Sequence, residues 1–288
     1  MNASEILENY KRDGYVIVKG LFSLAETDSF KNTIAELAGT SDMAGDALSA
    51  APLRSIMLED RIVSVLKILL GPKVVYFGDS TVRYDATEGS RGFHKDSLGD
   101  FEDPSSTDHP VLRIGLYMQD HVRHSGGLKV RRGSHRHAFL GRSSLKRLLS
   151  SAPPHGPLKL ASFRLGKAVN LDTEPGDLVV WNHRLFHSGY AVRLKAFPGL
   201  CINPRFEKYI PKSWTRPYEG PRAVMFASFG APSVSLDRFI KDRAEHPSNV
   251  AHWPACHFDD PEIIRLCKEK GIDLRFDGLE KGRLRSVA

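Results

Sequence analysis

Hydrophobic and polar positions follow two rhythms along the chain. A short helical pattern over Ser4–Arg12 leads into the β-rich GYVIVKG (14–20). Ser23 followed by Glu26 is a capping box, in which two side chains satisfy the orphan amides of a helix start, so a helix is predicted over Leu24–Ala38. DRIVSVLKILLG (60–71) places Ile62, Leu66 and Leu69 on one face and stops at Gly71-Pro72. From Val74 the period shortens to β segments: VVYFGDSTVRY (74–84), PVLRIGLYMQD (110–120), GGLKVRR (126–132), GDLVVWNHRLFHSG (176–189), GLCINPRF (199–206) and GPRAVMFASFG (220–230). Many short strands without strand–helix–strand alternation predict an antiparallel double sheet or barrel, not a parallel nucleotide-binding sheet. Residues 140–167 read as a helix or loop excursion. SLDRFIKDRAEH (235–246) and DPEIIRLCKEKG (260–271) read as helices flanking a segment with His252 and Trp253. With no repeat and no clear linker, the expectation is one domain over 1–288, its β core at about 74–230 and an α-helical C-terminal extension at about 231–288.

Composition narrows the class. At 288 residues and 41% hydrophobic content the chain can bury a sizeable core, so it is neither a disordered tail nor a fibre. No apolar run approaches the ~20 residues that span a bilayer, and the opening segment lacks a basic start followed by an apolar block. The expected location is the cytoplasm, without a membrane partner. Three cysteines with no CxxC pair argue against a disulfide framework or a thiolate zinc site. The net charge of +7 is spread along the chain, with a concentration at VRHSGGLKVRRGSHRH (122–137), which carries no nucleic-acid-binding signature. An anionic small molecule is the expected partner, and nucleic acid is not.

The strongest chemical signal is Phe93-His94-Lys95-Asp96, followed 91 residues after Asp96 by His187 in Phe186-His187-Ser188-Gly189. In extended backbone His94 and Asp96 project to one side, and a distant histidine can complete two imidazoles and a carboxylate on one face of a metal. Such a facial triad leaves positions open for a bidentate cosubstrate and O2, as non-haem Fe(II) oxygenases require. His-x-Asp alone is a weak motif in a chain with 12 histidines. Its place after a strand and the glycine-rich EGSRG (88–92), with the second histidine at a strand end, strengthens it. His135, His137 and His183 share no face with the triplet and read as surface or supporting polar groups. His252, Cys256 and His257 lack a second pair at ligand spacing. Trp181 and Phe186 read as core aromatics beside the metal strand.

In this arrangement the chain resembles the phytanoyl-CoA dioxygenase family of Fe(II)/2-oxoglutarate oxygenases. DGYVIVKGLFS, the HKD triplet, LYMQDHVRHSGGLKVRRGSHR (116–136) and EPGDLVVWNHRLFHSG (174–189) fall in that family's order, over about residues 10–232. The resemblance implies a mainly β fold with flanking helices, a double-stranded β-helix (jelly roll, cupin-like) core. It implies His94, Asp96 and His187 as iron ligands, with Fe(II), 2-oxoglutarate and O2 as cofactor and cosubstrates. Arg132 stands where the family usually has proline before Gly-Ser-His, adding a cation expected near the site mouth.

The family's 2-oxoglutarate-binding arginine has no simple match. Arg222 in GPRAVMF most resembles the family's arginine-bearing strand, which makes 188–219 an unusually long insertion. Arg193 comes next and Arg205 last, and Lys195 could serve as a point charge. A planar guanidinium suits the role because it grips a carboxylate bidentately and never titrates. By strand alternation Arg113, Gly115 and Tyr117 share one face, so Arg113 either faces the interior, meeting the cosubstrate or an acidic substrate group, or faces solvent. Arg83, Lys95 and Tyr117 are candidate substrate contacts, joined at the mouth by Arg131 and Arg132.

The expected activity is hydroxylation of a C–H bond of a small, anionic metabolite in secondary metabolism, with release of succinate and CO2. Asp96 favours that outcome over chlorination, since related halogenases have a small residue in place of the carboxylate. Desaturation, cyclisation or epimerisation by the same cofactor is the alternative within this chemistry. Outside it stand a non-catalytic β-barrel binding module and a redox-inactive metal hydrolase or isomerase.

Overall fold

Each predicted helix start carries its cap. The computed structural model describes residues 1–40, 43, 45–85, 92–96, 110–136, 168–245 and 256–275. The readings made for 140–167, His137, His252, Trp253 and most of EGSRG lie outside them. Helix α1 (Ala3–Asp13) begins at an Asn2/Glu5 capping box and ends at Gly14, whose φ of 81° suits glycine. Strand β1 (Tyr15–Val18) precedes α2 (Leu24–Leu37), which starts at the Ser23/Glu26 capping box. A helix absent from the sequence reading, α3 (Ala51–Met57), has only seven residues, too few to show a helical period. Helix α4 (Asp60–Leu70) stops at Gly71 as expected.

The β core runs through β2 (Val74–Asp85), β3 (Val111–Tyr117), β4 (Gly127–Arg131), β5 (Ala168–Asn170), β6 (Leu178–Asn182), β7 (His187–Ala191) and β8 (Arg222–Gly230). Helices α5 (Pro204–Glu207), α6 (Val234–Glu245) and α7 (Pro261–Glu269) and strand β9 (Ile272–Leu274) complete it. One sheet has the order β1-β6-β3-β8-β2-β9 and the other β5-β4-β7. All pairings are antiparallel except β2 with β9.

Alternation divides the large sheet into two faces. Leu112, Ile114 and Leu116 of β3 join Leu178, Val180, Met225 and Phe229 in a cluster with Ile34, Leu53, Met57, Ile62 and Leu66 of the helices. Each such buried aliphatic side chain contributes roughly 1.5–3 kcal/mol. The opposite face of the large sheet looks toward the small one, where Tyr117, Val179, Trp181 and Val224 pack on Leu128, Val130, Leu171 and Leu185. At one end of this inner face α6 supplies Leu236, Phe239 and Ile240 against Val75, Phe77 and Val111.

Three sequence expectations are corrected. GLCINPRF is not a strand: residues 201–203 have no regular structure and 204–207 form a helical turn, because Pro204 lacks an amide for a ladder yet suits a first helical position. The strand carrying His187 continues to Ala191, so the excursion before β8 starts later than residue 188. The C-terminal extension is not wholly helical, since β9 adds a parallel edge strand beside Val74–Tyr76.

The excursion after β7 is fastened by a buried ion pair. Lys129 of β4 donates to Glu207 of α5, both side chains are essentially inaccessible, and Glu207 Oε1 also accepts the Val192 amide at 2.9 Å. Removing one partner strands a buried charge, whereas replacing both with apolar groups does not. Lys129→Met is expected to lose about 3–5 kcal/mol in urea unfolding, and Lys129→Met/Glu207→Leu to regain most of it. Equal losses in the single and double variants would show that the pair is not the fastening. Among the described residues no helix is long and apolar enough to cross a membrane.

Candidate active site

The segment bearing His94 lies antiparallel to the start of β7, and the two histidines face each other across a bridge closed by two backbone hydrogen bonds. His94 N donates to His187 O and His187 N to His94 O, both at 2.9 Å. Asp96 N donates to His183 O at 3.1 Å, which fixes the carboxylate two residues on. The result is the convergence that the family resemblance implied: donor atoms of His94, Asp96 and His187 all lie within 4.8 Å of one another. Asp96 Oδ1 is 3.5 Å from His187 Nε2 and 3.9 Å from His94 Nε2.

The ring nitrogens are sorted by their backbone partners. His94 Nδ1 lies 3.0 Å from Gly92 O and His187 Nδ1 lies 3.0 Å from Leu185 O. Each Nδ1 therefore carries the proton and each Nε2 lone pair is turned toward Asp96, the arrangement a metal-ligating histidine needs. Burial pushes the His187 imidazole down, keeping it neutral. Burial alone would push Asp96 up, but its electrostatic interactions with His187, Arg113, His183 and His94 outweigh it and hold the carboxyl below its usual range. Trp181, anticipated only as a core aromatic, donates its indole N–H to Asp96 Oδ2 at 3.3 Å. Two imidazoles and one ionised carboxylate on one side, with hydrogen-bonded outer atoms, make a donor set that fits a divalent first-row metal.

The other candidates separate by strand parity. Cα partners across an antiparallel ladder share a face, and Trp181, Arg113 and Ser228 form one such row. Tyr117, Val224 and Arg83 form a second, and Arg222 and Asp85 a third. Arg113 is thus on the inner face, its side chain 15% exposed and 3.5 Å from Asp79. Arg83 is more exposed and lies 3.8 Å from Asp85. Gly115, in the same stripe, has no room for a side chain, because a Cβ there would come within 3.0–3.2 Å of Trp181, Tyr117 and Phe226.

Lys95 is not brought to the metal side. As the residue between two ligands in extended backbone it points the other way, its ammonium 4.9 Å from the Phe186 ring centroid. Arg131 likewise lies over the ring of Phe93, the residue before the first ligand, at 4.6 Å. The expectation for Arg132 is corrected, since its guanidinium is taken by Asp13 at 2.6 Å at the end of α1. His183 is fully buried, its Nε2 3.0 Å from Ser228 Oγ, and His135 Nε2 lies 3.1 Å from Lys11 O. His257 is exposed, and Cys256 Sγ accepts the Asp46 amide at 3.3 Å.

The competing arginines differ in what they already hold. Arg193 donates to Asp172 at 2.6 Å and to the carbonyls of Leu171 and Pro198 at 3.0 and 3.3 Å. Lys195 donates to Ser213 O at 2.8 Å. Arg222 is 9% exposed, and its guanidinium carbon lies 4.3, 5.6 and 5.7 Å from the ring centroids of Tyr190, Phe226 and Tyr117. Among the described residues Arg222 has no carboxylate partner, and its Nε and Tyr117 Oη find no hydrogen bond. Arg205 lies in the α5 turn.

Tyr190 escaped the sequence reading for a definable reason. The β4–β7 ladder shifts register between Gly127 and Lys129, and Tyr190 has a φ of 60°, unusual for a bulky residue. This bulge breaks the alternation and aims the ring at Arg222. Asp79 and His121 were missed as well. His121 is buried beside Arg222, with Nδ1 3.0 Å from Thr173 Oγ1, and burial followed by the charges of Arg222 and Arg193 pushes it down to about 3.

Asp79 is 3% exposed and is held by Arg243 of α6 at 2.7 Å as well as by Arg113. Burial would raise its pKa, but Arg243, Arg113, His183 and Ser228 together hold it down to about 2. A carboxyl depressed on folding stabilises the native state above its unfolded value of about 3.9, and that stability disappears as pH falls toward 2. Asp79→Asn is therefore expected to lose on the order of 2 kcal/mol near pH 7, measured by urea unfolding, with the gap to wild type shrinking below about pH 4 and closing only as pH falls through about 2. A gap that stays constant over that range would contradict the assignment.

No family model and no curated protein matches the chain. Solved structures do. The epimerase SnoN, crystallised with Fe3+, alpha-ketoglutarate and nogalamycin RO, aligns at a TM-score of 0.51 and 17% identity over 83% of this chain and 88% of its own. EctD from S. alaskensis aligns at 0.51 and 18% identity, covering 80% and 77% of the two chains. HygX from Streptomyces hygroscopicus aligns at 0.51 and 16% identity, covering 79% and 85%. At these identities the likeness is one of fold, and the chain shares the double-stranded β-helix of these proteins.

Proposed function

We propose that the protein is a non-haem Fe(II)- and 2-oxoglutarate-dependent oxygenase resembling the phytanoyl-CoA dioxygenase family, and that it hydroxylates a C–H bond of a small, anionic metabolite. The observation that carries this reading is the convergence of His94, Asp96 and His187, with the outer nitrogens of both histidines bonded to backbone, on the inner face that also holds Arg222, which has no carboxylate partner among the described residues. The reading is supported by SnoN, whose shared fold is crystallised with Fe3+ and alpha-ketoglutarate. Bound Fe(II) with 2-oxoglutarate and O2 would supply the oxidising power, the cosubstrate leaving as succinate and CO2.

The chain's own residues then have definable tasks. His94 and His187 present neutral Nε2 lone pairs, and Asp96 stays ionised, its second oxygen held by Trp181. Arg222, backed by Tyr190 and adjoining Tyr117, would take the distal carboxylate of 2-oxoglutarate, a match of planar donor fork to planar acceptor. Val179, Val224 and Phe226 line the space between the sheets and keep bulk water from it. The carboxylate at position 96 supports hydroxylation over halide transfer. We read the chain as one catalytic domain, since α6 reaches the inner face through Arg243.

Anaerobic reconstitution with Fe(II) and 2-oxoglutarate tests the proposal. The expected result is a weak visible metal-to-ligand charge-transfer band, followed by succinate when O2 is admitted. Iron binding with neither signal would make the protein a binding module.

A further inference from the structure

Two buried guanidinium groups flank one ring on the inner face. The Arg113 carbon lies 5.5 Å and the Arg222 carbon 5.6 Å from the Phe226 centroid. Their surroundings differ. Arg222 stands among aromatic rings, whereas Arg113 belongs to an ionic group reaching to the C-terminal extension, in which Asp79 Oδ1 accepts from Arg243 at 2.7 Å. Asp79 Oδ2 approaches Arg113 only at 3.5 Å and makes no hydrogen bond among the described residues. The better part of that carboxylate is committed to Arg243, and among the described residues no hydrogen-bond acceptor takes the Arg113 donors, in the row that contains Trp181 and, through it, Asp96.

Charge balance says what those donors await. On the oxygenase reading, a divalent metal and Arg222 are neutralised by Asp96 and the two carboxylates of 2-oxoglutarate. Among the described residues Arg113 and Arg243 share one carboxylate, Asp79, and the Asp96 charge that Arg113 also feels is already counted with the metal, so one positive charge is left over in a group whose side chains are 15%, 19% and 5% exposed. An uncompensated buried charge is costly, and a charge-assisted hydrogen bond to an oxyanion removes the cost. We infer that Arg113 is the seat for a carboxylate or phosphate group of the primary substrate, and that Arg243 is a positioning residue that keeps Asp79 from occupying it. This rests on the oxygenase reading and deepens it: the leftover charge belongs to the substrate, and a helix outside the β core helps set specificity.

The test uses the full-length protein loaded with Mn(II) and saturating 2-oxoglutarate, with acetate and methyl phosphate as probes. An oxyanion on Arg113 lies near the metal, so the acetate methyl proton and the phosphorus nucleus are expected to relax faster, saturably with probe concentration. Whichever probe saturates at lower concentration identifies the preferred oxyanion. Arg113→Met is expected to raise the half-saturating concentration more than about tenfold while leaving that for 2-oxoglutarate unchanged. Arg113→Lys should restore part of the affinity. The paired variants move in opposite directions: Arg243→Met weakens anion binding because Asp79 turns to Arg113, and Asp79→Asn strengthens it because the competing carboxylate is gone. A merely structural role for this group would not split them in sign.

Wild-type protein that binds Mn(II) and 2-oxoglutarate yet relaxes neither probe overturns the anion seat alone. Unchanged relaxation in Arg113→Met, or a raised 2-oxoglutarate requirement in that variant, does the same, the latter by making Arg113 a cosubstrate contact. Failure to bind Mn(II) at all removes both this inference and the oxygenase reading.

Discussion

Asp96→Ala is expected to lower the affinity for Fe(II) by at least ~100-fold and to abolish the charge-transfer band, with the β core still folded. Changes to groups that only support metal ligands typically cost about 10–100-fold, so loss of a ligand lies at or beyond the upper end. Among the described residues the geometry gives no substitute. Asp96 is the carboxylate whose oxygen lies 3.5 and 3.9 Å from the two imidazole Nε2 atoms, and Asp79 is already held by two arginines. Titration calorimetry with Fe(II) under anaerobic conditions would measure the change, and circular dichroism would report the fold. An Asp96→Ala protein binding Fe(II) as the wild type does would place the metal elsewhere.

The second large effect separates the competing arginines. Arg222→Ala is expected to leave Fe(II) binding intact and raise the half-saturating 2-oxoglutarate concentration by a factor of about 30 or more, the range for truncating one partner of a buried, hydrogen-bonded charge pair. Arg193→Ala should leave that concentration nearly unchanged and reduce stability, because its guanidinium already holds Asp172 and two carbonyls. Both are read from the charge-transfer band as 2-oxoglutarate is added to the Fe(II) protein. A shift confined to Arg193→Ala would reverse the assignment and leave the metal ligands untouched.

What could be read without coordinates followed the physics of each signal. Capping boxes at Ser23 and helix stops at Gly71 are local, involving side chains three residues apart or a single backbone conformation, and they appeared where expected. Strand alternation is also local, and it placed Arg113, Gly115 and Tyr117 on one face correctly. It failed where the ladder is irregular. Tyr190 reaches Arg222 through a bulge whose register shift depends on β4, 60 residues earlier in the chain. Arg132 was expected at the mouth because it replaces the family's proline before Gly-Ser-His, and its partner, Asp13, lies 119 positions away with nothing near Arg132 to announce it. The unused Arg222 and the occupied Arg193 look alike in sequence, since both are arginines after the distal histidine.

The amino-acid order by itself determined an antiparallel β core, a double sheet or a barrel, with flanking helices and the facing of His94 with Asp96, because backbone periodicity and capping need only near neighbours. The tertiary structure alone decided that His187 meets them within 4.8 Å, that Arg222 has no carboxylate partner among the described residues, and that α6 delivers Arg243 to Asp79. Those outcomes depend on which charges are brought together and removed from water. Burial and electrostatic pairing are properties of the packed chain and have no counterpart in spacing along it.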